Sequence, residues 1–137
     1  MRVFLDTNVL ISAFITRGLC ADIFRIILSE HDLILSTHVL SELEVVLKQK
    51  IILPQNQITS ILKFLRTFEI VANHTLPKKI ELRDENDIPV LAAALNSLSD
   101  IIVTGDKDLL DVSDKYGIKI VNPRIFFQII RRINDSE

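Results

Sequence analysis

The sequence predicts an α/β fold, a three-layer α/β/α sandwich around a central, mostly parallel sheet of about five strands. Two observations carry this. Short β-type apolar runs alternate with longer stretches of helical period along the chain, and acidic, hydroxyl or Asn-Pro residues mark many of the junctions between them. There is no internal repeat, low-complexity tract or linker, so residues 1–137 read as one domain.

RVFL (2–5) is the first strand. TNVLISAFIT (7–16) carries apolar side chains at helical spacing until Arg17-Gly18 stops it, and LCADIFRIILSE (19–30) continues as a second helix with Ile23, Phe24, Ile27 and Leu28 on one stripe. DLILS (32–36) is a buried-type strand. THVLSELEVVLKQK (37–50) takes Thr37 as its N-cap and keeps its period through Leu40, Leu43, Val46 and Leu47. Pro54 opens the next helix, PQNQITSILKFLRTF (54–68). FEIVAN (68–73) reads as a strand, and HTLPKKIELRDEN (74–86) as an irregular connection containing Pro77. DIPVLAAALNSL (87–98) is a helix with Asp87 at its start and Pro89 in its first turn, where a missing N–H is tolerated. DIIVT (100–104) is an apolar strand, KDLLDVSDKY (107–116) a short helix ended by Gly117, and IKIVN (118–122) the last strand. Asn122-Pro123 caps PRIFFQIIRRI (123–133), which frays into NDSE.

A length of 137 residues suits one core. The apolar runs are all interrupted before the ~18–20 residues a membrane span needs, and the early Asp and Asn do not fit a signal peptide, so the expected location is the cytoplasm, with no membrane partner. The one cysteine, Cys20, excludes an internal disulfide or a cysteine metal site and is expected to be a small core residue. A net charge of −2 gives no global basic field. Any nucleic acid must therefore be positioned by local charge, for which Arg17, Lys48 and Lys50, Lys78 and Lys79, Lys107, and Arg131 and Arg132 are the candidates.

In open parallel sheets, sites form beyond the carboxyl ends of the strands. Four acids fall at that edge: Asp6 after VFL, Asp106 after IIVTG, Glu42 in the helix after LILS, and Asp87 at the start of the helix that feeds IIVT. Singly, each has a structural explanation. Asp87 is the clearest helix cap, and Glu42 reads as an exposed helix residue. Together they repel one another, at roughly 4 kcal/mol per pair at 4 Å and an effective dielectric near 20. Protonation or a cation must relieve this. An all-oxygen set favours a hard cation such as Mg²⁺ or Mn²⁺, which suits phosphodiester hydrolysis.

DTNVLIS, LSELEVVL, RDENDIPVLAAAL and IIVTGDKDLL followed by GIKIVNPRIFF closely resemble, in that order and spacing, the PIN domain, in particular the bacterial and archaeal proteins related to toxin components of toxin–antitoxin pairs. The resemblance runs from Met1 to about Phe127. It implies that Asp6, Glu42, Asp87 and Asp106 are the metal-binding acids in chain order, that Asn8 holds Asp6 or a metal-bound water, and that Thr104 supplies a hydroxyl beside them. It further implies Mg²⁺ or Mn²⁺, hydrolysis of RNA, a homodimer and a small antitoxin partner.

Two assignments stay open. RDEND offers Asp84 and Glu85 beside Asp87, with Asp87 preferred and Asp84 left as a supporting or turn residue. Asp108 is either an auxiliary ligand or the N-terminal acid of a short helix. His38, four residues before Glu42, reads as a surface histidine ahead of a ligand or acid–base role. The helix faces around Ile11, Phe14, Ile15, Phe24 and Ile27 are read as core first and as dimer or antitoxin surface second.

Rival readings fit less well. A haloacid-dehalogenase-type phosphatase needs a second acid where Asn8 stands. A response-regulator receiver needs an acid pair that is missing here, and three glycines cannot supply a dinucleotide or Walker loop. The alternative from another class is a PIN-like module that binds RNA or protein without cutting, in RNA processing or quality control.

Overall fold

The computed structural model describes residues 1–72, 74–75, 81–82 and 84–135. Its sheet has five strands: β1 (Arg2–Leu5), β2 (Asp32–Ser36), β3 (Glu69–Val71), β4 (Ile101–Val103) and β5 (Lys119–Val121). They lie in the order β3-β2-β1-β4-β5, and every neighbouring pair is parallel. The expected mostly parallel sheet is thus wholly parallel. From β1 the chain winds outward through β2 and β3, then returns to place β4 on the other side of β1. The winding direction therefore reverses between β1 and β4, and the loops leaving these two strands diverge there.

Among the described residues, seven α-helices flank the sheet: α1 (Thr7–Ile15), α2 (Leu19–Glu30), α3 (Thr37–Gln49), α4 (Gln55–Leu65), α5 (Ile88–Asn96), α6 (Lys107–Leu110) and α7 (Pro123–Asp135). One group packs α3 against α1, α4 and α5, and another packs α2 against α1 and α7. The core between helices and sheet holds Phe4, Leu5, Leu10, Ile34, Leu43, Leu47 and Phe126, all with almost no exposure. Three buried alanines, Ala92 to Ala94, let α5 approach the sheet closely. Phe14 and Phe24 meet with ring centroids 5.2 Å apart and so join α1 to α2. At the opposite end of the strands, Arg2 pairs with Glu69, donates to the Ser97 carbonyl at 2.8 Å, and receives Asp100 on its backbone N–H at 2.7 Å.

Several boundaries move. The cap of α3 is Ser36, whose Oγ accepts the Val39 N–H at 3.1 Å, and Thr37 is already helical. Either hydroxyl satisfies the capping rule in sequence, but only Ser36 has the extended backbone that a cap needs. Ser36→Ala should therefore lower stability by about 1 kcal/mol in urea unfolding, whereas Thr37→Ala should change it by less than about 0.5 kcal/mol.

Pro54 flanks α4 as its cap and is not its first residue, and the helix stops at Leu65. Strand β3 is shorter than FEIVAN because it is an edge strand paired only to β2, and Asn73 lies outside the described residues, as do Pro77, Lys78 and Lys79. Helix α5 ends at Asn96, where Leu98 takes a left-handed φ of 56° and the Ser99 N–H returns to the Ala94 carbonyl. KDLLDVSDKY is helical only to Leu110. Turns follow, with Asp114 at φ 67° and Gly117 at φ 84°. Helix α7 runs on through Asn134 and Asp135. Cys20, expected in the core, is only half-buried.

Candidate metal centre

The divergence of the loops after β1 and β4 places Asp6 and Asp106 at one edge of the sheet. Asp6 is 5% exposed and caps α1, with its Oδ1 accepting the Thr7 N–H at 2.7 Å. Its Oδ2 accepts the Thr104 hydroxyl at 2.7 Å and the Asn8 Nδ2 at 3.4 Å. Asp6 caps the helix and faces the cleft as well, because a carboxylate has two oxygens to offer. Burial pushes the Asp6 carboxyl above its usual range. The bonds from Thr104 and Thr7 oppose that rise, and the charges of Glu42 and Asp106 add to it.

Thr104, fully buried, links two acids. Its Oγ1 donates to Asp6 and accepts the Asp106 N–H at 3.0 Å. Asn8 performs the same linkage on the backbone, because its Oδ1 accepts the Gly105 N–H at 2.9 Å. Removing the hydroxyl strands a buried acceptor and a donor together. Thr104→Val should therefore cost about 2 kcal/mol in thermal or urea unfolding, and Thr104→Ser should recover most of it.

Asp87 departs from the simplest sequence reading. It does not cap α5. It closes a 3₁₀ turn, Glu85–Asp87, whose cap is Asp84, with Asp84 Oδ1 accepting the Asn86 N–H at 3.0 Å. Asp84 thus has the turn role left open for it. Freed from capping, Asp87 is 7% exposed and its Oδ2 has no hydrogen-bond partner among the described residues. Its carboxyl is pushed up to about 7, by burial first, then by the hydrogen bond and charge of Asp106, and by Asp84 and Asp6.

Asp106 caps α6 through its Oδ1, which accepts the Asp108 N–H at 2.8 Å. Asp108 is therefore the first-turn acid of that helix. It also offers a carboxylate oxygen that, with one each from Asp87 and Asp106, forms a group lying within 4.8 Å of one another. Asp6 and Glu42 stand outside that tight group but line the same cleft, of about 360 Å³, together with Asp84, Asp87 and Asp106. Among the described residues, no Lys or Arg lines it.

Glu42 is more open than Asp6 and Asp87, with its side chain 44% exposed. Its Oε1 accepts the Thr7 hydroxyl at 3.2 Å and stands 3.1 Å from His38 Nε2, off the line of a well-aligned hydrogen bond. His38, read from sequence as a surface residue, is half-buried in the cleft lining and meets His74 edge-on at 6.0 Å. The i, i+4 spacing to Glu42 was the available signal for His38. For His74 there was none, because it comes from a distant connection.

The donor set fits a hard divalent cation. A buried carboxylate oxygen without a partner, beside two further carboxylates, leaves a deficit of positive charge at that point, and the donors are all oxygen.

Among solved structures, fourteen chains match this fold. One is a chain of VapBC2 from Rickettsia felis, solved bound to a DNA fragment from their promoter. It superposes with a TM-score of 0.64 at 19% identity, over 89% of this chain and 98% of that chain. Likeness at that identity speaks for a shared fold. A search among curated proteins found no match. The sequence from residue 2 to residue 108 matches the pattern of the PIN domain. That span takes in β1 through β4 and the acids that follow them, and by it the chain belongs to the PIN domain family.

Proposed function

We propose that this chain is a divalent-metal-dependent endoribonuclease that hydrolyses RNA phosphodiester bonds, and that it is the toxin component of a toxin–antitoxin pair. The observation that carries the reading is Asp87: a buried carboxylate, one of whose oxygens has no hydrogen-bond partner among the described residues, close to carboxylate oxygens of Asp106 and Asp108 at the sheet edge of a PIN domain. A cluster of this kind destabilises the fold unless its charge is used.

Mg²⁺ or Mn²⁺ would be held by Asp87 and Asp106, with Asp108, Asp6 and Glu42 directly or through water, and when bound supplies an activated water and charge neutralisation at the phosphate. The protein's own groups do the positioning. Thr104 and Asn8 keep the β1 and β4 loops in register, so that Asp6 and Asp106 cannot drift apart. Thr7 restrains Glu42, whose side chain is 44% exposed with His38 beside it. In-line attack by water leaves a 3′-hydroxyl and a 5′-phosphate.

The toxin assignment draws on the sequence resemblance and on the VapBC2 neighbour. It brings with it a small antitoxin, a homodimer and a cytoplasmic location. In line with that, among the described residues no helix is long and apolar enough to cross a membrane. Purified protein mixed with a panel of RNAs should cut in Mn²⁺ and stop in EDTA, and Asp6→Asn should abolish the cutting. Cleavage that survives Asp6→Asn would point to a contaminant, and no cleavage would favour the non-cutting binding module.

A further inference from the structure

Beside the acidic cleft lies a second hollow, of about 360 Å³. Its lining is Val9, Ser12, Cys20 and Pro123, and Asn8 and Asp106 form the wall it shares with the cleft. The Asn8 side chain that separates the two is held at both ends, by Asp6 and by the Gly105 N–H. A Cβ added at Gly105 would meet Asn8 Oδ1 at 3.4 Å, so glycine keeps this wall thin.

The two hollows differ in charge. Among the described residues, five carboxylates line the cleft, those of Asp6, Glu42, Asp84, Asp87 and Asp106, whereas Asp106 alone reaches the second hollow. Three exposed cations adjoin its lining along the chain: Arg17 in the turn between Ser12 and Cys20, Lys107 after Asp106, and Arg124 after Pro123. Among the described residues, none of the three is in an ion pair. The floor is mixed, with Pro123 offering apolar surface beside the buried Val9, and with Ser12 and Cys20 both in the lining.

A polyanion brought to a carboxylate cluster is repelled by it, so the strand must be held by surface next to the cluster. We infer that this second hollow seats the nucleoside adjoining the scissile phosphate of a single-stranded RNA, with the base against Pro123, its polar edge toward Ser12, and flanking phosphates met by Arg17, Lys107 and Arg124. The hollow has room for one base and its sugar, and only an unpaired base can leave its stack to enter it. The inference rests on the ribonuclease reading and adds to it a specificity-determining face built from α1, α2 and the start of α7.

Cys20 is the chain's one cysteine, so thiol chemistry reports on this hollow alone. The probe is a short fluorescent single-stranded RNA oligonucleotide, bound to Glu42→Gln protein in Mg²⁺ and followed by anisotropy. Bound oligonucleotide should slow reaction of Cys20 with an aromatic disulfide reagent about tenfold, and Ser12→Leu, which fills the hollow, should weaken binding by a similar factor. Ser12→Leu should leave the Mn²⁺-induced rise in Tm unchanged, which separates loss of the subsite from loss of the fold or the metal. The inference is overturned if the oligonucleotide binds while Cys20 reacts at its free rate, or if Ser12→Leu binds as the unaltered chain does. Failure of any RNA to bind, seen in the anisotropy before the thiol step, would overturn the ribonuclease reading with it.

Discussion

Asp87→Asn is expected to melt higher than the unaltered chain at pH 8 without metal, and to cleave RNA at least about a thousandfold more slowly in Mn²⁺. The two effects have one cause. At pH 8 the unaltered Asp87 is a buried anion facing Asp106, with one oxygen unpartnered among the described residues. The amide is isosteric and neutral, and its NH₂ can donate to the Asp106 carboxylate. It relieves the repulsion and at the same time removes a charged ligand. Paired melting curves and cleavage rates check this. A variant that lost activity and also lost stability would show Asp87 to be a structural residue whose carboxylate is already satisfied.

Metal and pH should act on the same group in opposite senses. Burial and Asp106 raise the folded Asp87 carboxyl to about 7, well above the unfolded value, and Asp6 shifts the same way. A raised carboxyl means that the folded state binds the extra proton. Its contribution to stability is fully present below about pH 4 and is lost as pH rises towards and through about 7. The metal-free protein should therefore melt higher at pH 5.5 than at pH 8. Divalent metal competes with that proton. At a hundredfold excess over its dissociation constant, it should raise Tm by about 5–10 °C at pH 8 and by markedly less at pH 5.5. Calorimetry at the two pH values, with EDTA or Mn²⁺, gives the comparison, and the double variant Asp6→Asn with Asp106→Asn should show no metal-induced rise. A rise that persists in it would contradict this assignment of the site.

How far the sequence spoke for itself differs from residue to residue. Asp6 and Asp106 stand out because each follows an apolar strand, Asp6 directly and Asp106 after Thr104 and Gly105, and the carboxyl ends of strands in a parallel sheet are where diverging loops leave a crevice. Thr104 was visible from its place in TGD, and its two hydrogen bonds now give that position a physical task. The cap that sequence offers as a structural explanation for Asp87 is not formed, because capping rules see only what precedes a helix. They do not see a 3₁₀ turn that hands the cap to Asp84. Ser36 and Thr37 were indistinguishable for a similar reason: two adjacent hydroxyls satisfy one rule.

Other features had no local signature. The Gly105 N–H reaches Asn8 across the full span from β1 to β4, and only the sheet order brings them together. The position of His74 beside His38, and of Cys20 in a hollow rather than in the core, likewise depends on packing between elements far apart in the chain. The strand and helix sequence was legible because each element is short and its period distinct. Their lengths were not, since β3 and β5 end where their neighbours stop pairing and not where the apolar run stops.

Whether these acids hold a catalytic divalent metal is read from the anomalous-scattering map of a crystal grown in Mn²⁺. A peak is expected in the cleft, with oxygens of Asp87 and Asp106 at about 2.0–2.2 Å from it and Asp6 or Glu42 bound to it directly or through water. A peak elsewhere, or none at a Mn²⁺ concentration that supports RNA cleavage, would contradict their role as metal ligands.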